Sequence, residues 1–193
     1  MILIHPFWET CPTSSTGASA TIGTISGNNA FIPHYGLYNY NWSAWILTAA
    51  EIGGPKQITG IGYTPVSYTS GFQYLNQVIK VGHVVESSWP TATPQINLSD
   101  ITVTDLKIVK TYFTETPVSG IVNRFNFDSY FCYDGTSNLL IVWENRDTDW
   151  TGGYGTHQHT VATNQGAYQN LDANFPTGSG IRINTKPVTK LYT

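Results

Sequence analysis

The side chains best suited to contact a ligand are five aromatic residues between positions 35 and 45. They are Tyr35, Tyr38, Tyr40, Trp42 and Trp45. Side chains alternate between the two faces of an extended strand, so Tyr38, Tyr40 and Trp42 would share one face. Such rings stack on sugars or anchor a protein interface, because they combine a large apolar area with a polar tip. The other interpretation is that these rings pack in the core and at the edge of a β-sandwich.

A second aromatic pair, Trp150 and Tyr154, lies in the glycine-rich segment DTDWTGGYG. Loops run over the protein surface and carry many binding residues. Rings beside glycines in a loop are difficult to explain as core, so this pair favours a binding or assembly surface. We therefore take Tyr38, Tyr40, Trp42, Trp150 and Tyr154 as the candidate ligand or interface residues.

Two further pairs of side chains offer metal ligands, but neither pair is a complete set. Asp147 and Asp149 carry hard oxygen atoms of the kind that Ca²⁺ takes, although the surrounding sequence is not an EF-hand loop. His157 and His159 would place two imidazoles on one face of a strand. A bound metal needs a third or fourth donor. Three copies of the chain around a threefold axis would supply the additional imidazoles. A solvated strand face is the simpler interpretation of the histidines. We expect no bound cofactor, with calcium as the alternative.

Catalytic chemistry finds little support in the sequence. There is no Gly-x-Ser-x-Gly elbow, and neither cysteine lies in a recognised catalytic signature. A glycosidase would need a pair of carboxyl groups, and the candidates are Glu51, Glu144 and Asp128. That chemistry depends on the distance between the two carboxyl groups, which the sequence does not give. Glu51 and Glu144 also have simple explanations as surface residues. We expect a protein that is not an enzyme.

The chain is predicted to be all-β. Short alternating or continuous apolar runs recur between turn signals, and no segment has apolar residues at helical spacing over three turns. Clusters of Pro, Gly, Ser and Thr divide the chain into about eight to ten strands, which suits a two-sheet sandwich. Residues 49–52, followed by Gly53-Gly54-Pro55, form the only helix-like fragment and are long enough for a single turn.

Two segments, 77–86 and 121–127, alternate apolar and polar residues and are predicted as strands with one buried face. Their apolar faces consist of Ile79, Val81 and Val85 in the first segment, and of Ile121, Phe125 and Phe127 in the second.

Two other segments carry more specific predictions. Residues 139–143 are apolar at every position and follow an Asp134-Gly135 turn, which predicts a central strand covered on both sides. Between Ile101 and Val109 the apolar phase switches, which predicts a bulge or bend near Asp105.

Two stretches of the sequence carry a family resemblance. The first places aromatic residues before a turn and a strand, and the second contains a buried strand further along the chain. They are PHYGLYNYNWSAWILTAAEIGGPKQITGIGY at residues 33–63 and YDGTSNLLIVWEN at residues 133–145. Together they resemble the cleaved-adhesin jelly roll, a module repeated in secreted surface proteins of Bacteroidetes, over residues 23–183. The resemblance implies an antiparallel two-sheet β-sandwich of jelly-roll type that binds or assembles without catalysis. Calcium sites can occur in such modules, but no full ligand set is matched here.

Composition narrows the choice of partners. The formal net charge is -3 and charged residues make up 11% of the chain, against a usual value of about 25%. Without a run of Lys or Arg the chain lacks the basic surface of a nucleic-acid binder. The longest apolar runs have about five residues, far below the roughly 18 that span a bilayer. We expect neither a nucleic-acid nor a membrane partner.

The two cysteines are Cys11 and Cys132. A disulfide between them can be drawn, but their separation of 121 positions does not show that they meet. We expect two free thiols.

The first 17 residues differ from the rest of the chain. An apolar and aromatic start leads into a stretch rich in Pro, Ser and Thr. We expect residues 1–17 to form an extended arm outside a single jelly-roll domain over residues 18–193. The arm would anchor the protein to a neighbour through Ile2, Leu3, Ile4, Phe7 and Trp8.

The N-terminus shows no basic region followed by a 7 to 15 residue apolar core, so no secretion signal is visible. Virions leave the cell by lysis without such a signal. We therefore expect a bacteriophage virion structural protein, as capsid decoration, head fibre or tail component. Its partners would be other virion proteins or its own copies, and a cell-surface glycan if it recognises a host. The alternative is a carbohydrate-binding module of a secreted bacterial adhesin or peptidase, and an added start codon would explain Met1 equally well.

Overall fold

The computed structural model describes residue 11 and residues 18–68, 71, 73–92, 95–149 and 155–193. Within this part of the chain there are thirteen strands and one short α-helix. In chain order they are β1 (Ser19–Ile22), β2 (Gly27–Asn29), β3 (Tyr40–Leu47), α1 (Ala49–Ile52), β4 (Lys56–Tyr63), β5 (Pro65–Ser67), β6 (Tyr74–Val84), β7 (Gln95–Ile96), β8 (Val103–Glu115), β9 (Asn123–Tyr133), β10 (Asn138–Asn145), β11 (Thr156–Leu171), β12 (Gly180–Pro187) and β13 (Thr189–Tyr192). The strands outnumber the predicted eight to ten because β2, β5 and β7 are too short to show a sequence period.

The strands form two antiparallel sheets that pack face to face. The smaller sheet has the order β1-β13-β4-β9, and the larger sheet has the order β7-β12-β11-β3-β10-β6-β8, with β2 and β5 paired to β11. The all-β, two-sheet sandwich predicted from the sequence is therefore confirmed.

The main core lies between the two sheets. The larger sheet contributes Trp45, Ile141 and Trp143, and the smaller sheet contributes Ile58 and Phe131, among others. These residues are at alternate positions of their strands, as expected where one face of each sheet is turned inward. Burying each large side chain contributes about 1.5–3 kcal/mol.

A second core covers the opposite face of the larger sheet. It contains Trp42, Leu140 and Val142 from the sheet, and Trp89 and Ile101 from the connection between β6 and β8. Strand β10 pairs with β3 on one side and β6 on the other, and its residues 139–143 are buried. The predicted central strand, covered on both faces, is confirmed.

A strand is present where residues 77–86 predicted one, but the prediction that only one of its faces is buried is wrong. Strand β6 ends at Val84 and is buried on both faces over most of its length, because both cores cover this part of the larger sheet. Val85 lies beyond β6 and is exposed. In the other alternating segment Phe125 is buried in the main core, whereas Ile121 precedes β9 and is exposed.

The predicted bulge near Asp105 is confirmed. Val81 of β6 pairs with Lys107, and His83 pairs with Thr104, so two steps along β6 face three steps along β8. Asp105 has φ 50°, and its carboxylate accepts a hydrogen bond of 3.1 Å from the backbone N–H of His83. The side chain thus holds the backbone where the strand pairing is interrupted.

The single helical turn predicted at residues 49–52 is confirmed as α1. It ends at Gly53, whose φ of 80° lies in the region that favours glycine. No helix in the described ranges is long and apolar enough to cross a membrane.

A disulfide joins Cys11 to Cys132 of β9, so the expectation of two free thiols is wrong. The two Cα atoms are 5.3 Å apart, within the usual range for a disulfide. The sequence separation of 121 residues gave no sign of this contact, because it depends on where β9 lies in the folded sheet.

Candidate functional site

A cavity of about 390 Å³ opens on the outer face of the larger sheet, beside the second core. Trp42 of β3, Lys80 of β6, and Val142 and Glu144 of β10 line it from the sheet. Its remaining walls come from residues 97–99 and 175–178, together with Arg146. The volume is in the range of about 300–1,000 Å³ that is typical of ligand pockets.

The strand register brings the floor residues together. Glu144 of β10 lies opposite Trp42 of β3, which lies opposite Gln169 of β11. Directly paired residues of antiparallel strands point to the same face, so these three side chains form one row across the sheet. The indole N–H of Trp42 donates a hydrogen bond of 3.1 Å to the Gln169 side-chain oxygen, which fixes the orientation of the ring.

A nearly buried carboxylate lies between two cations in this pocket. Glu144 is only 5% exposed. Lys80 Nζ is 2.5 Å from Glu144 Oε1, and Arg146 Nε is 2.8 Å from Glu144 Oε2. A buried carboxylate is stable only where it is paired and hydrogen-bonded, and both of its oxygens are engaged here. Glu144 is therefore not the simple surface residue that the sequence indicated.

The guanidinium of Arg146 also packs on an aromatic ring. Its central carbon lies 3.7 Å from the centroid of the Phe175 ring. Phe175 belongs to the connection between β11 and β12 and packs against the second core. The contact holds the planar guanidinium at the wall of the pocket.

A larger cavity, of about 500 Å³, lies between the edge strands β8 and β9. Its cations have other partners: Lys110 is 3.4 Å from Asp128, and Arg124 Nε donates to Asn126 at 2.6 Å. We take the cavity of about 390 Å³ as the candidate site and call it the Trp42 pocket. Its floor is a sheet covered on both faces, and it combines aromatic rings with clustered charges.

Of the predicted aromatic residues, Tyr38, Tyr40 and Trp42 lie in the part of the chain that the structure describes. Tyr40 and Trp42 are two positions apart in β3 and share one face, as predicted, whereas Tyr38 lies in a bend before the strand, so the predicted strand face does not extend to Tyr38. The Tyr38 ring lies 5.7 Å from the ring of Tyr35. Trp150, Tyr154 and the arm residues Ile2, Leu3, Ile4, Phe7 and Trp8 lie outside the described residues.

The predicted metal ligands do not form a site in the part of the chain that the structure describes. No group of three His, Cys, Asp or Glu side chains there is placed to hold a metal ion. Asp147 is buried while Asp149 is exposed. Burial raises the pKa of Asp147 to about 6, a hydrogen bond from the Leu75 backbone works against this rise, and the charge of Asp149 adds to it.

His157 is fully buried, so the solvated strand face expected for His157 and His159 is wrong for the first of them. Its ring centroid lies 4.9 Å from that of His34, which is also fully buried. His34 Nε2 is 2.8 Å from Glu115 Oε2, and the hydroxyl of Tyr63 contacts both His34 and the carboxyl of Glu115. These residues form a buried polar cluster between the two sheets.

Burial keeps the cluster in its neutral forms. It lowers the pKa of His34 to about 3, and burial together with the neighbouring His34 lowers the pKa of His157 well below its usual value. Burial also raises the pKa of Glu115 well above its usual value. The Tyr63 hydroxyl donates to Glu115 Oε1, whereas Glu115 Oε2 and His34 Nδ1 are buried without a hydrogen-bond partner among the described residues.

The three acids considered for a glycosidase pair lie in separate surroundings. Glu51 pairs with buried Lys186 at 2.7 Å, and Asp128 is 3.4 Å from Lys110. Glu144 is paired in the Trp42 pocket, as described above. The structure therefore does not bring these acids together.

Sequence reasoning missed Lys80, Arg146 and Phe175. They are separated by long stretches of chain, and only strand register and a connecting loop bring them to one cavity. Comparison with family models, with curated proteins and with solved structures finds no match. The resemblance to the cleaved-adhesin module stays a hypothesis.

Proposed function

We propose that this chain is a non-catalytic binding domain that takes a saccharide in the Trp42 pocket. The observation that carries this proposal is the pocket's composition: the half-buried Phe175 ring supplies apolar surface beside the buried Trp42, and Lys80, Glu144 and Arg146 supply charged hydrogen-bonding groups. Sugars have apolar C–H faces and hydroxyl edges, so a site that recognises them needs both kinds of group.

Binding without catalysis fits the state of the one acid in the pocket. Both carboxylate oxygens of Glu144 are held by cations, at 2.5 and 2.8 Å. Glycoside hydrolysis canonically uses a pair of carboxyl groups at a defined distance. Among the described residues that line the pocket, Glu144 has no acidic partner.

A glycan array with the purified chain, followed by calorimetry on the best ligand, tests the proposal. Phe175→Ala should weaken binding about tenfold or more, because it removes ring surface and frees the Arg146 guanidinium. Tyr130→Ala is the matched control, since this exposed ring lies on β9 of the other sheet. Equal affinity of wild type and Phe175→Ala would contradict the proposed site.

As the setting of this domain we propose a bacteriophage particle, with the secreted adhesin or peptidase module as the alternative. Strand β8 is an edge strand of the larger sheet and exposes Leu106, Ile108 and Tyr112, the last at 72%. Apolar side chains on an exposed edge strand support an assembly role with neighbouring virion proteins or further copies.

Mass spectrometry of purified particles tests this setting. The chain should be present in particles, and deletion of residues 2–8, which retains Cys11, should reduce its incorporation if the arm is the anchor. Absence of the chain from particles, together with its recovery from the cell surface, would favour the secreted alternative.

A further inference from the structure

We infer that the saccharide taken by the Trp42 pocket carries a carboxylate group, as hexuronic and nonulosonic acids do. The inference rests on the proposed function and names the class of sugar. The local charge of the pocket differs in sign from the net charge of the chain.

The pocket carries one more positive charge than negative. Lys80 and Arg146 face a single carboxylate, that of Glu144, whereas the chain as a whole has a formal net charge of -3. A neutral sugar needs no such excess. An anionic ligand would complete the charge balance in a site where desolvation strengthens electrostatic interactions.

The two cations also have donors left over. A guanidinium has five N–H groups and an ammonium has three. Arg146 gives its Nε–H to Glu144 Oε2, and Lys80 is paired with Glu144 Oε1. The terminal nitrogens of Arg146 have no hydrogen-bond acceptor among the described residues, and its side chain is 37% exposed. Paired guanidinium donors of this kind match the two oxygens of a carboxylate.

The donors are also held in place before a ligand arrives. Glu144 fixes one edge of the Arg146 guanidinium, and the Phe175 ring covers one face at 3.7 Å. A fixed guanidinium loses little conformational entropy on binding, which favours affinity. The buried Trp42 and Val142 form the floor beneath the Phe175 ring, and Asn97 and Ser99 at the rim offer partners for sugar hydroxyls.

The test compares acidic sugars with their neutral counterparts. The probes are the methyl glycosides of glucuronic, galacturonic and N-acetylneuraminic acid, their methyl esters, and galactose 6-sulfate, measured by calorimetry at low salt. At least one carboxylate should bind about tenfold tighter than its ester, and the preference should shrink as sodium chloride is added. Arg146→Gln should abolish the preference, and Lys80→Gln should reduce it.

Arg124→Gln is the matched control, since it removes the same charge from β9 of the other sheet and should leave the preference intact. Thermal unfolding of each variant shows whether the fold is retained. If wild type binds neutral sugars on the array as strongly as it binds acidic ones, the inference is overturned while the proposed function stands. Tighter binding of the sulfated sugar than of every carboxylate also overturns it. If the chain binds no sugar at all, the proposed function itself fails.

Discussion

At the scale of single residues, the chain buries charged and titratable groups in two different ways. In the Trp42 pocket Glu144 is nearly buried as a carboxylate, because Lys80 and Arg146 each contact one of its oxygens. In the buried polar cluster, by contrast, Glu115 and His34 are buried with no such cation beside them and favour their neutral forms. The arrangement in the pocket leaves donors free for a ligand, whereas the buried polar cluster lies between the two sheets.

The state of Glu115 gives a pH prediction. Its folded pKa lies above the unfolded value of about 4.5, so its stabilising contribution is complete below pH 4.5 and is lost as pH rises through the folded pKa. Glu115→Gln mimics the neutral carboxyl and does not titrate. The variant should therefore gain stability relative to wild type as pH rises above 4.5, by up to about 1.4 kcal/mol per pH unit.

Urea unfolding of both proteins between pH 4.5 and 8 measures this difference. Glu86→Gln is the control: burial raises the pKa of Glu86, but hydrogen bonds from Thr102 outweigh this effect and lower it, so Glu86 is ionised in both the folded and unfolded states over most of this range and its free-energy difference from wild type should stay nearly constant. A constant free-energy difference between wild type and Glu115→Gln over this range would mean that Glu115 is already ionised in the fold.

At the scale of elements, the sequence predicted those features that depend on neighbouring residues. The period-2 alternation, the bulge at Asp105, the single turn α1 and the continuous apolar run of β10 all have local causes. The burial of both faces of β6 and the Cys11–Cys132 contact depend on which strands lie beside one another. Likewise, Trp42 meets Gln169 only through the register of β3 and β11, so no local pattern could reveal the pocket.

Strand β10 should be the most protected element in amide hydrogen exchange. It is paired on both sides and covered by both cores, so its amides open only in global unfolding. The edge strand β8 pairs only with β6 through an interrupted register and should exchange much faster. Mass-spectrometric or NMR exchange measures both strands, and similar rates in β8 and β10 would contradict the described sheet order.

The disulfide should contribute strongly to stability, because it closes a loop of more than a hundred residues. Loss of such a link typically costs about 2–5 kcal/mol. A Cys11→Ser, Cys132→Ser double variant should unfold at lower urea than the oxidised wild type. Reductant should lower the wild-type midpoint to that of the variant and leave the variant unchanged. No response of the wild type to reductant would show that the two thiols do not pair.

At the scale of the whole molecule, the larger sheet is the structural basis of the proposed site. One of its faces closes the main core and the other carries the second core, so the strands below the pocket are held from both sides. The ligand-facing walls come instead from connections, at residues 97–99 and 175–178. A rigid floor with walls made of loops suits a binding domain whose specificity resides in a few side chains.

The most direct test of the saccharide-binding claim is an NMR titration of the isotopically labelled full chain with the best ligand from the glycan array. The indole N–H of Trp42 and the Nε–H of Arg146 should shift along one common saturation curve, because both line the same pocket. If these two resonances stay in place while those of Phe113 and Asn123 shift, the ligand binds in the cavity between β8 and β9 and the assignment of the site is wrong.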